Sequence, residues 1–210
     1  MFNIIQNIIL GISLAAPIGP ASIAVIKRGL KYGFLSGFLV GVGVTAADAT
    51  YLLIVYFGLS NFINIPIVKT LIWTLGAIVL MYLGCQSIKE YFEKIDLDEF
   101  KTQTGKNSFV VGYIINISNP MAIIWWVGVF GSILGSLAQN IPRMTALLNS
   151  LTILIGILLW HSTVSLLLHL GRKRFINENT MRYVSAIAGF VLIGFGLYFG
   201  YNAFISQVSL

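Results

Sequence analysis

The sequence predicts an all-α membrane protein: six transmembrane helices arranged as two inverted three-helix repeats, the first helix of each repeat broken. Three observations carry this. The 210-residue chain is 57% hydrophobic and only 10% charged, whereas an ordinary soluble domain carries about 25% charged residues. Its apolar residues fall into six runs, each close to the roughly 20 residues that a bilayer span requires. Two of those runs, the first in each half, are interrupted by proline at a depth where water cannot repair a lost backbone hydrogen bond.

The six runs lie at roughly 3–26, 34–59, 67–88, 109–137, 144–169 and 181–205. The fourth exceeds an average bilayer and is expected to be tilted, bent or partly interfacial. One polar connection of any size remains, KEYFEKIDLDEFKTQTGKN at 89–107, with charges of both signs. The expected organisation is a single transmembrane domain with a first repeat at 1–92, a cytoplasmic linker at 93–108 and a second repeat at 109–210. Three spans per half is an odd number, so the second half enters the membrane from the opposite side, which is the plan of many secondary transporters. GISLAAPIGP (11–20) and GYIINISNP (112–120) both place a glycine eight or nine residues before a proline. Gly37/Gly41 and Gly131/Gly135 have the spacing of close helix packing, and glycine-rich faces are compatible with a homo-oligomer.

Charge sets the expected orientation. Lys27, Arg28 and Lys31 follow the first span, Lys89, Lys94, Lys101 and Lys106 the third, and Arg172, Lys173, Arg174 and Arg182 the fifth, leaving only Lys69 and Arg143 for the other side. By the positive-inside rule the odd-numbered connections are cytoplasmic and both termini lie outside. The N-terminus lacks a basic leader region, so no cleaved signal peptide is expected. The net charge of +6 sits in the connections between apolar runs, which argues for lipid rather than nucleic acid as the partner. The lone cysteine, Cys85, is expected to behave as a small buried hydrophobe.

The breaks are Pro17-Ile18-Gly19-Pro20 and Ser118-Asn119-Pro120. Asn is a preferred N-cap and Pro is favoured at the first helical position, so a half-helix is expected to start at Pro120. Pro20 plays the same part in the first span, with Gly19 adapting the backbone and Pro17 disfavouring helix at Ala16. Each break would aim free N–H groups and a partial positive charge at mid-bilayer, a natural place for a carboxylate. A plain pair of proline kinks is the alternative.

Six of the seven acids lie in the cytoplasmic connections; the seventh, Asp48, sits near the middle of the second span. An acid there costs about 2.5–3.5 kcal/mol on insertion scales. It is the candidate for binding a substrate ammonium or carrying a coupling proton, or else it is a structural carboxylate bonded to Thr45, Tyr51 or a neighbouring span. Asn116 and Asn119 add polar groups at membrane depth. His161 is a second proton-coupling candidate, against a purely structural reading. Trp125, Trp126, Tyr82, Tyr113 and Tyr198 are cavity candidates or packing and interfacial residues.

The chain has no metal-ligand Cys/His pair, nucleophile elbow or phosphate loop with Lys, so no enzyme, metal or cofactor is expected. Asp96-x-Asp98-Glu99 lacks the spacing of a calcium loop.

Taken in order, the Pro-x-Gly-Pro break, Lys27-Arg28-Gly29-x-x-x-Gly33-x-x-x-Gly37, Asp48 before a run ending in Gly58-Leu59, Gly76-x-x-x-Leu80-x-Tyr82-Leu83-Gly84 and Asn119-Pro120 resemble the lysine exporter (LysE/RhtB-type) family of small bacterial amino-acid efflux proteins. The resemblance covers nearly the whole chain, the second half chiefly through Asn-Pro and the span layout. It implies a multi-pass protein of the bacterial inner (plasma) membrane that exports amino acids or related small molecules, driven by protons and without a cofactor. Its motifs carry over onto Pro17, Gly19, Pro20, Asp48, Asn119 and Pro120. Ala21 departs from the pattern, since many members have Asn directly after Gly-Pro, and this puts the usual substrate in question. A channel using Asp48 as a selectivity group and a non-transporting membrane subunit are the other readings.

Overall fold

A computed structural model describes residues 4–17, 19–57, 66–92, 107–126, 143–175 and 178–208. Ile18, Gly58-Leu59, the linker acids Asp96, Asp98 and Glu99, and the Gly131/Gly135 pair lie outside the described residues. All regular structure among the described residues is helical: α1 (Ile4–Ala15), α2 (Pro20–Tyr32), α3 (Phe34–Tyr56), α4 (Pro66–Phe92), α5 (Ser108–Ile117), α6 (Pro120–Ile123), α7 (Arg143–Phe175) and α8 (Glu178–Val208).

Four of these helices contain stretches long and apolar enough to cross a membrane: Phe34–Tyr56, Thr70–Lys89, Leu147–Gly171 and Asn179–Ile205. The first and fourth expected spans are both broken. Helices α1 and α2 meet at 82°, and α5 meets the helical run Pro120–Trp126 at 62°. Counting each bent pair as one span gives six.

The outward faces explain why this bundle belongs in lipid. Along α4, Leu71, Leu75, Ile78 and Tyr82 are all exposed at helical spacing, as are Phe190, Leu197, Tyr201 and Phe204 along α8. Stripes of that kind are a liability in water and ordinary in hydrocarbon. Cys85 is exposed on α4 instead of buried, because its position falls on the outer side of that helix.

Helix contacts are made by glycines where a side chain would not fit. A Cβ on Gly11 would lie 2.1 Å from the Ile153 carbonyl oxygen, and one on Gly156 would lie 2.2 Å from that of Ile8. A Cβ on Gly43 would lie 2.0 Å from the Phe109 oxygen, and one on Gly112 would lie 2.1 Å from that of Val40. These bring α1 against α7 and α3 against α5 at backbone distance. Helices α4 and α8 run antiparallel, Trp73 packing on Phe199 at one end and Gly84 against Gly189 at the other.

Gly33 joins α2 to α3 with φ 90° and ψ −175° while its N–H closes α2 onto the Gly29 oxygen. That backbone region is open essentially to glycine alone. Gly33→Ala is therefore expected to cost about 1–3 kcal/mol, read as a lower melting temperature in detergent.

Candidate functional site

The close approach of α3 and α5 builds the polar centre. Asn116 lies one turn after Gly112, so it faces α3 across the narrow contact, and its Nδ2 donates to the Val44 oxygen at 3.0 Å and to Asp48 Oδ1 at 2.8 Å. Trp126 Nε1 donates to the same carboxylate oxygen at 2.8 Å. Trp126 reaches it because the chain after α6 widens into a π-type turn at 124–126, a local irregularity often found at functional sites. Asp48 is 5% exposed and Asn116 4%. A carboxylate at that depth is tolerable because it is hydrogen-bonded. Both donors take Oδ1, so Oδ2 is the oxygen left toward the cavity.

That cavity measures about 450 Å³, within the roughly 300–1,000 Å³ typical of small-molecule sites. Pro17, Gly19, Pro20, Asp48, Asn116, Asn119 and His161 all line it, as do Trp125 and Trp126. Of the site residues expected from the sequence, the structure brings all to one cavity except Pro120, which is buried at the start of α6. His161 is 3% exposed and packs on Gly41, where a Cβ would come within 2.5 Å of the histidine Cβ. Among the described residues no hydrogen bond holds its ring.

The two breaks end differently. Asn119 caps its helix as expected, its Oδ1 accepting from Met121 N at 3.1 Å. That N–H is thereby already used. At the other break Gly19 is the N-cap and offers no side-chain acceptor. Its φ of −132° and ψ of −174° are open to any residue, so the backbone adaptation expected of glycine is not required here. What its missing side chain does is leave the first turn of α2 uncapped beside the cavity. Ser22 Oγ donates to the Pro17 oxygen at 3.2 Å and ties the two sides of the break together.

Thr45 and Tyr51 do not hold Asp48. Thr45 donates to the Gly41 oxygen, whereas the Tyr51 hydroxyl lies 3.2 Å from the Asn116 oxygen and 2.5 Å from that of Ile117. It thereby serves the Ile117 carbonyl at the end of α5 and shares the Asn116 oxygen with the Asn119 N–H, which donates to it at 3.0 Å. Tyr51 stands three residues after Asp48, on the same helical face, which is the signal that hints at its part. Trp126 as a carboxylate partner has no such signal, being 78 positions away. Tyr82 and Tyr198 point outward.

A break in each of two apolar helices, meeting at a buried acid in a small-molecule cavity, is the anatomy of a membrane translocator. The LysE type translocator family model matches residues 12–203. The chain belongs to the LysE type translocator family. Membership places this LysE-family chain among transporters rather than enzymes, as a multi-pass membrane protein with a small-molecule substrate. The "Putative amino acid efflux protein YcgF" of Bacillus subtilis (strain 168) is 38% identical over 199 residues, 94% of this chain and 95% of that protein. The "Uncharacterized membrane protein YrhP" of the same organism is 28% identical, over 85% of this chain and 89% of its own length. A "Leucine efflux protein" of Klebsiella pneumoniae is 25% identical over 53% of this chain and 54% of its own. No solved structure gives a significant match.

Proposed function

We propose that this protein exports amino acids or related small molecules from the cytoplasm across the bacterial inner membrane, coupled to protons, by alternating access. The observation that carries the reading is the joint cavity, in which Asp48, Asn116, the α2 N-terminus and His161 face one space. The names of relatives that refer to amino acid or leucine efflux support the substrate class. The substrate carboxylate binds at the uncapped first turn of α2, with Asn119 also on the wall of the same cavity. Asp48 Oδ2 takes the ammonium group, and alternates between that role and carrying the proton.

Halves at 1–92 and 109–210 related as inverted repeats are supported by the glycine contacts. Gly11 meets the oxygen three residues before Gly156, and Gly156 the oxygen three residues before Gly11; Gly43 and Gly112 repeat this relation. The first span thus relates to the fourth and the second to the fifth. Counting on from Gly43 and Gly156, Asp48 and His161 then occupy equivalent positions, each five residues later. Both proton-coupling candidates sit at the same place in their repeats, and rocking of one half against the other moves the shared site between the two faces. Odd-numbered connections in the cytoplasm and both termini outside follow from the basic residues.

The test is flux through the purified protein in liposomes over a panel of amino acids, amines and metal ions, with and without a proton gradient. Saturable, gradient-dependent amino-acid efflux with counterflow is expected. Conductance with linear flux would instead make it a channel, and absence of flux a non-transporting subunit. His161→Gln is expected to lower gradient-driven efflux about tenfold, a change of roughly 1.4 kcal/mol, with counterflow nearly intact.

A further inference from the structure

A smaller cavity, about 120 Å³, lies between α2, α4, α5 and α8, and its polar wall includes Lys27, Arg28, Tyr32, Gln86 and Ser87. Lys27 Nζ donates to Ser87 Oγ at 2.7 Å and Arg28 Nη1 to Ser108 Oγ at 3.0 Å, and both serines are buried. Basic residues that serve only to anchor a helix end extend into the headgroup layer. These two are half-buried instead and turn inward onto two different helices. A guanidinium and an ammonium converging on one small space make a receiver for a carboxylate.

The same helices line both cavities in succession. Helix α2 gives Ser22 to the Asp48 cavity and Lys27 to the smaller one, α5 gives Asn116 and then Ile115, and α8 gives Phe195 and then Leu192. From Ser22 to Lys27 is roughly 7 Å along the helix. The apolar wall of the smaller cavity includes the buried side chains of Ala24, Ile115 and Leu192.

We propose that the smaller cavity is a second substrate site, facing the cytoplasm, where Lys27 and Arg28 receive the carboxylate of an amino acid before it passes into the Asp48 cavity. This rests on the exporter reading above. The volume suits the polar head of an amino acid and not a whole larger ligand, which matches a loading site rather than a storage site. An anionic lipid headgroup offers the same charge to a basic pocket between transmembrane helices, so the test separates the two sources.

The full-length protein and the Lys27→Gln/Arg28→Gln double variant are reconstituted in phosphatidylcholine vesicles, with a radiolabelled mixture of the common L-amino acids as probe. Half-saturation is then measured separately for substrate supplied at each face. The double variant is expected to raise half-saturation about tenfold at the face bearing these residues and to leave the other face within about twofold. Equal changes at both faces, or none, overturn the site. A difference that appears only when phosphatidylglycerol is added assigns the pocket to lipid and likewise overturns it. Should the double variant fold poorly, Lys27→Arg/Arg28→Lys, which keeps both charges, is expected to stay near wild type at both faces; a face-selective loss there contradicts charge capture. Normal transport by Asp48→Asn beside a face-selective shift in the double variant removes the Asp48 mechanism while leaving the smaller site standing.

Discussion

Asp48→Asn is expected to reduce export by up to about a hundredfold while the protein stays folded. The substitution is chosen for its geometry. Asn116 Nδ2 and Trp126 Nε1 both donate to Oδ1 at 2.8 Å, and an asparagine Oδ1 accepts both bonds unchanged. What is lost is the negative charge and the ability to exchange a proton at Oδ2. Hydrogen bonds to charged groups contribute roughly 1.5–3 kcal/mol, and 3 kcal/mol is about a hundredfold in affinity. Asp48→Ala is a poorer test, because it strands two buried N–H donors at about 1–3 kcal/mol each and mixes loss of function with loss of stability. Efflux from proteoliposomes together with thermal melting separates the two. Full export by a normally folded Asp48→Asn variant removes this carboxylate from the mechanism.

The second large effect is on the fold. Gly43→Ala and Gly112→Ala place a methyl about 2 Å from the backbone oxygens of Phe109 and Val40. Neither obstacle is a side chain that can turn away, so α3 and α5 must separate. Overpacking typically costs 1–3 kcal/mol, and the upper end, about 3 kcal/mol, is expected here. That corresponds to roughly 6–12 °C in Tm for a chain of this size. Separation of these helices also breaks the reach of Asn116 to Asp48, so substrate binding should weaken in the same variants. Gly11→Ala and Gly156→Ala are expected to destabilise by a similar amount, since their contacts have the same form. Gly194→Ala, with no atom within 4 Å of the added carbon, is the control and should melt like wild type. A stable Gly43→Ala protein with unchanged transport would show that the helices are not held at backbone distance.

Several elements of this architecture are readable from residues alone, each for a local reason. Proline removes an amide donor wherever it stands, so the breaks at Pro20 and Pro120 are announced by residue type. Asn119 before Pro120 is a capping pair whose hydrogen bond spans only two residues. Asp48 stands out because an acid in an apolar run carries its cost with it in any fold. Cys85 shows the limit: an apolar run tells that a residue meets hydrocarbon or protein, but not which, and this one faces outward. Gly19 shows another, since its extended backbone makes no demand for glycine and only its place beside the cavity gives the missing side chain a purpose.

By itself, then, the sequence determined that the chain lives in a membrane, that two of its apolar runs are broken and that one carboxylate is buried among them. Those are properties of short stretches, set by side-chain chemistry and by what a bilayer tolerates. Only the tertiary structure decided that Trp126 and Asn116 share one oxygen of Asp48, that Tyr51 serves the open end of α5, that His161 enters the same cavity, and that Lys27 and Arg28 turn inward onto Ser87 and Ser108. The reason is physical: these contacts join positions from 60 to 80 residues or more apart, and they exist because glycines let helices approach until side chains from different spans reach one another. No period or motif in a single helix records which partner helix will come that close.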